Sequence, residues 1–240
     1  MRIAFLSDIH GNLEAFCRVL EDVNGQDTDA VVCLGDCVGY GPEPEQVVRL
    51  LYEEKIPSVL GNHEEAIMNE ELLSWFNPHA RRALIRTREM LSADTLKAIG
   101  TWPRCLVFHD VLCVHGFPPD SVRRYLFEVD DFEMAAVLRN MPQKMCCVGH
   151  THLLEVVGYD GARLKRSVPS RGAVSLDRGK HIVNVGSVGQ PRDGDNRAKY
   201  VIWDAALHRI EVRFVSYDIA RTARRILEVG MPEVYAWRLW

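Results

Sequence analysis

Five times in this chain a short apolar run ends in a turn that sets glycine beside aspartate, asparagine or histidine. Arg2–Ser7 runs into Asp8-Ile9-His10-Gly11-Asn12 and Ala30–Leu34 into Gly35-Asp36. Pro57–Leu60 leads to Gly61-Asn62-His63-Glu64, Val111–Val114 to His115-Gly116, and Met145–Val148 to Gly149-His150-Thr151-His152. Runs of this length read as buried strands. In α/β proteins ligands gather at the carboxyl ends of strands. A purely structural protein has no reason to put a nitrogen or oxygen donor at each of five strand tips.

The segments between the runs set the fold class. Gly11–Asn24 places Leu13, Phe16, Cys17 and Leu20 at helical spacing, and a second helix opens at Gly41-Pro42-Glu43-Pro44. Strand, helix, strand, helix, strand implies parallel pairing by right-handed crossovers. Residues from about 64 to 99 are helical in pattern and form an expected insert over one side. The second half is mostly strand-like: a hairpin at 104–114, then runs at 153–159, 163–168, 180–185, 199–203 and 209–215. A short helix is expected over 130–140 and a closing one over 218–229. The expectation is an α/β fold of two packed mixed β-sheets flanked by helices, an αββα sandwich. A single domain spans 1–240, and the β-rich half supplies the second sheet.

The donor types suit a metal. Neutral imidazole is the commonest side-chain ligand for one. Asp8 and His10 are spaced i, i+2 and would point the same way in an extended segment. His150 and His152 repeat the spacing, so the two pairs could face each other across a cleft. Asp36 can bridge two cations with its two oxygens. Asn62 offers a carbonyl oxygen and His115 another imidazole. Nitrogen and oxygen donors without thiolate favour Mn, Fe, Zn, Ni or Co over calcium.

The ordered series Asp8-x-His10, Gly35-Asp36, Gly61-Asn62-His63-Glu64, His115 and Gly149-His150-x-His152 resembles the calcineurin-like metallophosphoesterase superfamily over roughly residues 1–155. "GDCVGYGP" and "NVGSVGQPRDGD" look like its compact bacterial and archaeal phosphodiesterase branch. The resemblance implies two divalent cations, with Mn²⁺ the first choice. One would be held by Asp8, His10, Asp36 and His152. The other would be held by Asp36, Asn62, His115 and His150. It also implies His63 as the substrate-facing imidazole. The expected function is hydrolysis of a small phosphodiester or phosphomonoester, such as a nucleotide, by in-line attack of a bridging hydroxide. Asp36 and His63 would be the catalytic pair, with Asn62, Asn12 and Arg192 at the substrate. Asn12 could equally cap the following helix, and Arg192 could be a surface loop residue.

One departure is informative. The protein phosphatase branch has an acid three residues after the bridging aspartate, then an arginine; here Gly39 and Tyr40 stand instead. That branch is disfavoured, and Glu64 or a backbone carbonyl is left to orient His63. A non-catalytic scaffold and a diadenosine-polyphosphate or protein phosphatase are the competing functions. His79 is a candidate for the cleft, and Arg81, Arg82, Arg86 and Arg88 read as a solvated helix face. His109, His181 and His208 read as structural. Trp237 and Trp240 are expected to cover a core edge or an oligomer contact.

Charge narrows the partners. A net charge of −4 gives no basic field for general nucleic-acid binding. Seven scattered cysteines suit small buried hydrophobes in a reducing compartment. No segment approaches the roughly 18 apolar residues of a membrane span. The expectation is a cytoplasmic protein with no membrane partner.

Overall fold

The computed structural model describes residues 1–240. The strands are β1 (Arg2–Leu6), β2 (Ala30–Cys33), β3 (Cys105–Phe108), β4 (Val111–Val114), β5 (Met145–Val148), β6 (Leu154–Tyr159), β7 (Leu164–Ser167), β8 (Gly172–Ser175), β9 (Lys180–Val185), β10 (Ala198–Asp204) and β11 (Arg209–Val215). The helices are α1 (Leu13–Asn24), α2 (Pro44–Glu53), α3 (Asn62–Met68), α4 (Pro78–Glu89), α5 (Ala93–Ile99), α6 (Asp131–Asn140), α7 (Ile219–Glu228) and α8 (Val234–Trp237). A five-stranded sheet runs β2-β1-β10-β11-β8 and a six-stranded sheet β3-β4-β5-β9-β6-β7. Both sheets mix parallel and antiparallel pairs, and helices flank them. None of the helices is long and apolar enough to cross a membrane.

The layering follows from strands apolar on both faces. In β1, Ile3 and Phe5 pack against Cys113, Met145, Cys147 and Val183 between the sheets. Ala4 and Leu6, the alternate residues, pack outward against Phe16 and Val19 of α1. β5 does the same: Met145 and Cys147 face the other sheet, while Cys146 and Val148 meet Met134 and Leu138 of α6. A strand covered on both faces reads as a continuous apolar run, and these do.

Two parallel sets aim at one place. β1 and β2 are parallel in the first sheet, and β4, β5 and β9 are parallel in the second. The carboxyl ends of both sets carry the donor-bearing turns.

Three expectations are corrected. Pro57–Leu60 makes only one parallel bridge, Cys33 to Ser58, instead of a third strand. Pro57 has no N–H to extend a ladder, and the Leu60 N–H leaves to donate to the Pro103 carbonyl at 2.7 Å. The second half does not supply only the second sheet. β10 lies antiparallel beside β1, pairing Ile3 with Trp203, and β11 and β8 complete that sheet. Finally, Trp237 and Trp240 cover no core edge, being 68% and 70% exposed.

Phe5 has no exposed surface and sits in the layer between the sheets. Phe5→Ala should cost about 3–5 kcal/mol of unfolding free energy by urea titration. The 88%-exposed Phe132, changed likewise, should stay within about 0.5 kcal/mol of the parent.

Candidate metal centre

The donor-bearing turns meet in a buried cluster, although not by extended geometry. Asp8, His10, Asp36, His150 and His152 all have positive φ, between 50° and 70°. Left-handed backbone at a non-glycine residue costs of order 1–3 kcal/mol and concentrates at functional sites. The i, i+2 pairs do converge. They do so because each chain coils through two left-handed residues, a conformation that aspartate and histidine tolerate better than most.

Each imidazole is fixed by a hydrogen bond to a carbonyl in another turn. Nδ1 of His10 reaches the Val38 carbonyl at 3.1 Å, Nδ1 of His115 the Leu34 carbonyl at 2.8 Å, and Nδ1 of His152 the Gln190 carbonyl at 2.5 Å. His150 uses Nε2, which reaches the Arg123 carbonyl at 2.9 Å. A carbonyl only accepts, so these contacts place a proton on that nitrogen, and in the neutral rings of His10, His150 and His152 the other nitrogen keeps its lone pair. The result is acceptor facing acceptor. His10 Nε2 stands 3.1 Å from His152 Nε2, and Asp8 Oδ1 lies 3.3 Å from the latter. Asp8 Oδ1 is buried with no hydrogen-bond partner. Buried lone pairs turned on one another are costly unless a cation lies between them. The donor set therefore fits divalent metal. Asp8, His10 and His152 form one group able to grip an ion, and Asp36, His115 and His150 form another.

The electrostatics agree. Burial holds His10 and His152 well below the usual imidazole range, His63 at about 4 and His150 at about 3, so all four are neutral. Burial pushes the Asp8 carboxyl up to about 7. His115 goes the other way. Burial opposes its charge, but the Asp36 carboxylate beside it raises it to about 10. That proton occupies the ground where a cation would sit.

Asp36 divides its work differently from the sequence expectation. Oδ1 accepts the His63 N–H at 2.9 Å, while Oδ2 faces His115 Nε2 at 3.3 Å and His10 Nε2 at 3.8 Å. Oδ2 is thus the oxygen that faces both donor groups. Gly61 lets this happen, since a Cβ there would overlap Asp36 Oδ1. Asn62 Oδ1 lies 3.0 Å from His115 Nε2, in the second group.

Glu64 does not orient His63. Its buried carboxylate accepts four backbone N–H groups: Cys37 and Val38 at Oε1, Asp36 and Gly61 at Oε2, all between 2.7 and 3.1 Å. It clamps the Asp36 turn to the start of α3. Burial, with the Asp36 carboxylate nearby, pushes this carboxyl up to about 7, and the donors aimed at it favour the ionised form. Nor does a backbone carbonyl serve His63, because its Nδ1 is buried without a partner. The ring is held by aromatic walls instead. Tyr40 meets it edge-on at 4.4 Å and Phe76 at 5.3 Å. Gly39 is pressed against it so closely that a Cβ would overlap Nδ1.

The cluster opens into a cavity of about 240 Å³ lined by Asp36, Asn62, His63, His150, His152 and Arg192 among others. Sequence reasoning missed several other lining residues: Tyr40, Trp75, Phe76, Tyr125 and Arg238. Tyr125 stacks on His150 at 3.9 Å. Asn12 is placed as a helix cap. Its Oδ1 accepts the Ala15 N–H at 3.1 Å and its amide donates to the Gly189 carbonyl at 3.0 Å, away from this cavity. His79 is exposed on α4, where its neighbours Asn77 and Ala80 line the cavity and it does not. Of the basic group, Arg81, Arg86 and Arg88 are tied to nearby carbonyls or acids. His208 lies between His181 of β9 and Trp203 of β10, and His109 sits in the β3–β4 turn.

Comparison with known proteins agrees with this geometry. Residues 1–154 match the family model for calcineurin-like phosphoesterases. An uncharacterised protein of Methanocaldococcus jannaschii is 34% identical over 99% of this chain and 97% of its own length. The crystal structure of a metallophosphoesterase from Sphaerobacter thermophilus superimposes with a TM-score of 0.86 at 35% identity, covering 100% of this chain and 98% of that one. A symmetrical bis(5'-nucleosyl)-tetraphosphatase of Wigglesworthia glossinidia is 33% identical over 41% of this chain and 36% of its own length.

The Glu64 clamp is testable without metal. In Glu64→Gln, an NH₂ replaces one carboxylate oxygen and confronts two of the four N–H groups. Urea unfolding in the presence of chelator should show a loss of about 3 kcal/mol. A loss below about 0.5 kcal/mol would mean that the carboxylate does not hold the turn.

Proposed function

Because this chain belongs to the calcineurin-like phosphoesterase family, we propose that residues 1–240 form one metal-dependent phosphoesterase domain acting on a small phosphodiester or phosphomonoester, such as a nucleotide. The observation that carries this reading is the set of lone pairs turned on one another, above all His10 Nε2 and His152 Nε2 at 3.1 Å beside the partnerless Asp8 Oδ1. Asp8, His10, Asp36 and His152 would hold one cation. Asp36, Asn62, His115 and His150 would hold the second, with Mn²⁺ the first choice and Fe, Zn, Ni or Co the alternatives. When bound, such ions supply a water of lowered pKa and positive charge for phosphoryl oxygens.

The chain's own groups do the rest. Asp36 keeps the two donor groups in register through Oδ2. The Asn62 amide faces the cavity and would orient the phosphoryl group before attack in line with the leaving oxygen, while Arg192 lines the rim of the same cavity as a further substrate contact. His63, locked between Tyr40 and Phe76 and held neutral by burial, would take up a proton as the anionic phosphoryl group binds beside it and then give that proton to the leaving oxygen. A non-catalytic scaffold would need neither His63 nor the full donor set, and this chain carries both. Gly39 and Tyr40 speak against a protein phosphatase. The tetraphosphatase relative favours a second reading, hydrolysis of a dinucleoside polyphosphate, although this chain spans only 36% of that relative's length.

Purified protein titrated with Mn²⁺ should bind two equivalents and hydrolyse bis-p-nitrophenyl phosphate. His10→Ala and His150→Ala should each lower the stoichiometry and abolish most turnover. Failure to hydrolyse any phosphoester with every donor group loaded would sink the enzymatic reading.

His63→Ala should keep its metal content and lose about 10²–10⁴-fold in turnover on an alkyl ester, whose leaving group needs a proton. On a p-nitrophenyl ester the loss should be much smaller. Equal losses on both would remove His63 from the proton transfer.

A further inference from the structure

The cavity over the donor cluster does not end there. A second cavity of about 430 Å³ adjoins it, lined by Gln190, Asn196 and Trp240 among others. Arg192 and Arg238 are the residues common to both. One guanidinium comes from the loop after β9 and the other from the end of α8, and they stand where the reacting centre gives way to the outer trough.

These arginines are chemically free. Arg123, the other arginine beside the site, is bound to Glu65 at 2.7 Å and lies over the Trp75 ring. Neither Arg192 nor Arg238 forms an ion pair. Arg192 has only a long contact of 3.4 Å to the Gln190 side chain, and Arg238 lies 5.5 Å over the Tyr235 ring. The acids that could have neutralised Arg192 are taken by other cations. Asp193 accepts from Lys199 Nζ at 2.8 Å, and Asp195 holds Arg197 in a bidentate pair.

The loop carrying Arg192 is also held still. The Lys199 side chain is wholly buried, and its ammonium also donates to the carbonyls of Asp195 and Arg197 at 2.5 and 3.1 Å. A buried ammonium that caps two carbonyls and a carboxylate fixes the loop before any ligand arrives. Prepositioned, unpaired guanidiniums match the planar fork of oxygens on a phosphate.

We propose that Arg192 and Arg238 form a second phosphate subsite, which selects substrates carrying another phosphate group beyond the one cleaved. This rests on the phosphoesterase reading above and adds a substrate class to it. The site would favour bisphosphates or polyphosphate chains over simple diesters. Selectivity would come from binding, because the second phosphate lies away from the reacting atoms.

Two esters with one leaving group make the test. Thymidine 5'-(p-nitrophenyl phosphate) has a single phosphate; its 3'-phosphorylated counterpart has two. With the Mn²⁺-loaded protein, KM for the second should be at least tenfold below that for the first, with similar kcat. Arg238→Met and Arg192→Met should each erase most of that ratio. Both side chains are exposed, so circular dichroism and Tm should match the parent. An unchanged ratio with uniformly poorer kinetics would place these arginines on the scissile phosphate and overturn the proposal. So would a parent protein with no preference.

Binding separates this from failure of the enzymatic reading. Should neither ester be cleaved, methylenediphosphonate titrated into chelator-treated protein, followed by tryptophan fluorescence from Trp240 in the trough, still reads the subsite. Saturable quenching weakened at least tenfold in the double variant supports it. Identical curves, or none that saturates, would overturn it.

Discussion

Four hydrogen bonds between imidazoles and main-chain carbonyls hold this molecule's centre together. His10 ties its turn to Val38, His115 to Leu34, His150 to Arg123 and His152 to Gln190. Each joins turns that are distant in sequence and, for His115 and Leu34, belong to different sheets. Each also fixes one ring nitrogen as the donor and turns the other inward. The orientation of every donor is thus set by a bond on its far side, the arrangement that lets metal-binding histidines keep their geometry and basicity. Left-handed backbone at Asp8, His10, Asp36, His150 and His152 is stable only because such bonds, and the Glu64 clamp, over-determine it.

Much of this was legible in the sequence because strand tips announce themselves. An apolar run followed by glycine and a donor residue is local information, and each tip could be read separately. What joins them was not. Glu64 binds four main-chain N–H groups, and no sequence pattern records partners that every residue possesses. The left-handed turns escaped for a related reason. Aspartate and histidine permit that backbone without demanding it, so an i, i+2 spacing looked extended. Arg238 and Trp240 lie far along the chain in a segment without a motif. β8 escaped because its four residues are half-exposed and flanked by arginine, serine and glycine. Pro57–Leu60 misled in the opposite direction, since apolar residues alone cannot show that the N–H ladder breaks at a proline.

The treatment of His63 shows how a missing carboxylate can be replaced. With glycine at 39, there is room for the imidazole itself where a side chain would otherwise reach. Tyr40 then fills the space beside it, resting on Tyr235 at 4.2 Å and touching His10 at 4.5 Å. Position is secured by shape and ring quadrupoles instead of by an ionic partner. Burial keeps the ring uncharged although the Asp36 carboxylate lies 3.9 Å away. Under the proposed function, an acidic protein would thereby keep a local site for phosphate, with cationic character supplied by the ions it would bind and by Arg192 and Arg238.

The pairing of β1 with β10 has a consequence for how the molecule is made. β1 is made well before its neighbour on one side, β10, which follows it by nearly two hundred residues. Until then the growing chain exposes an apolar edge whose hydrogen-bonding groups are vacant, the kind of surface that recruits other chains. The donor turns are all present by His152, but the scaffold that presses them together is not. The first sheet can therefore close only after β10 has been made, and until then one edge of β1 is open to pairing with other chains.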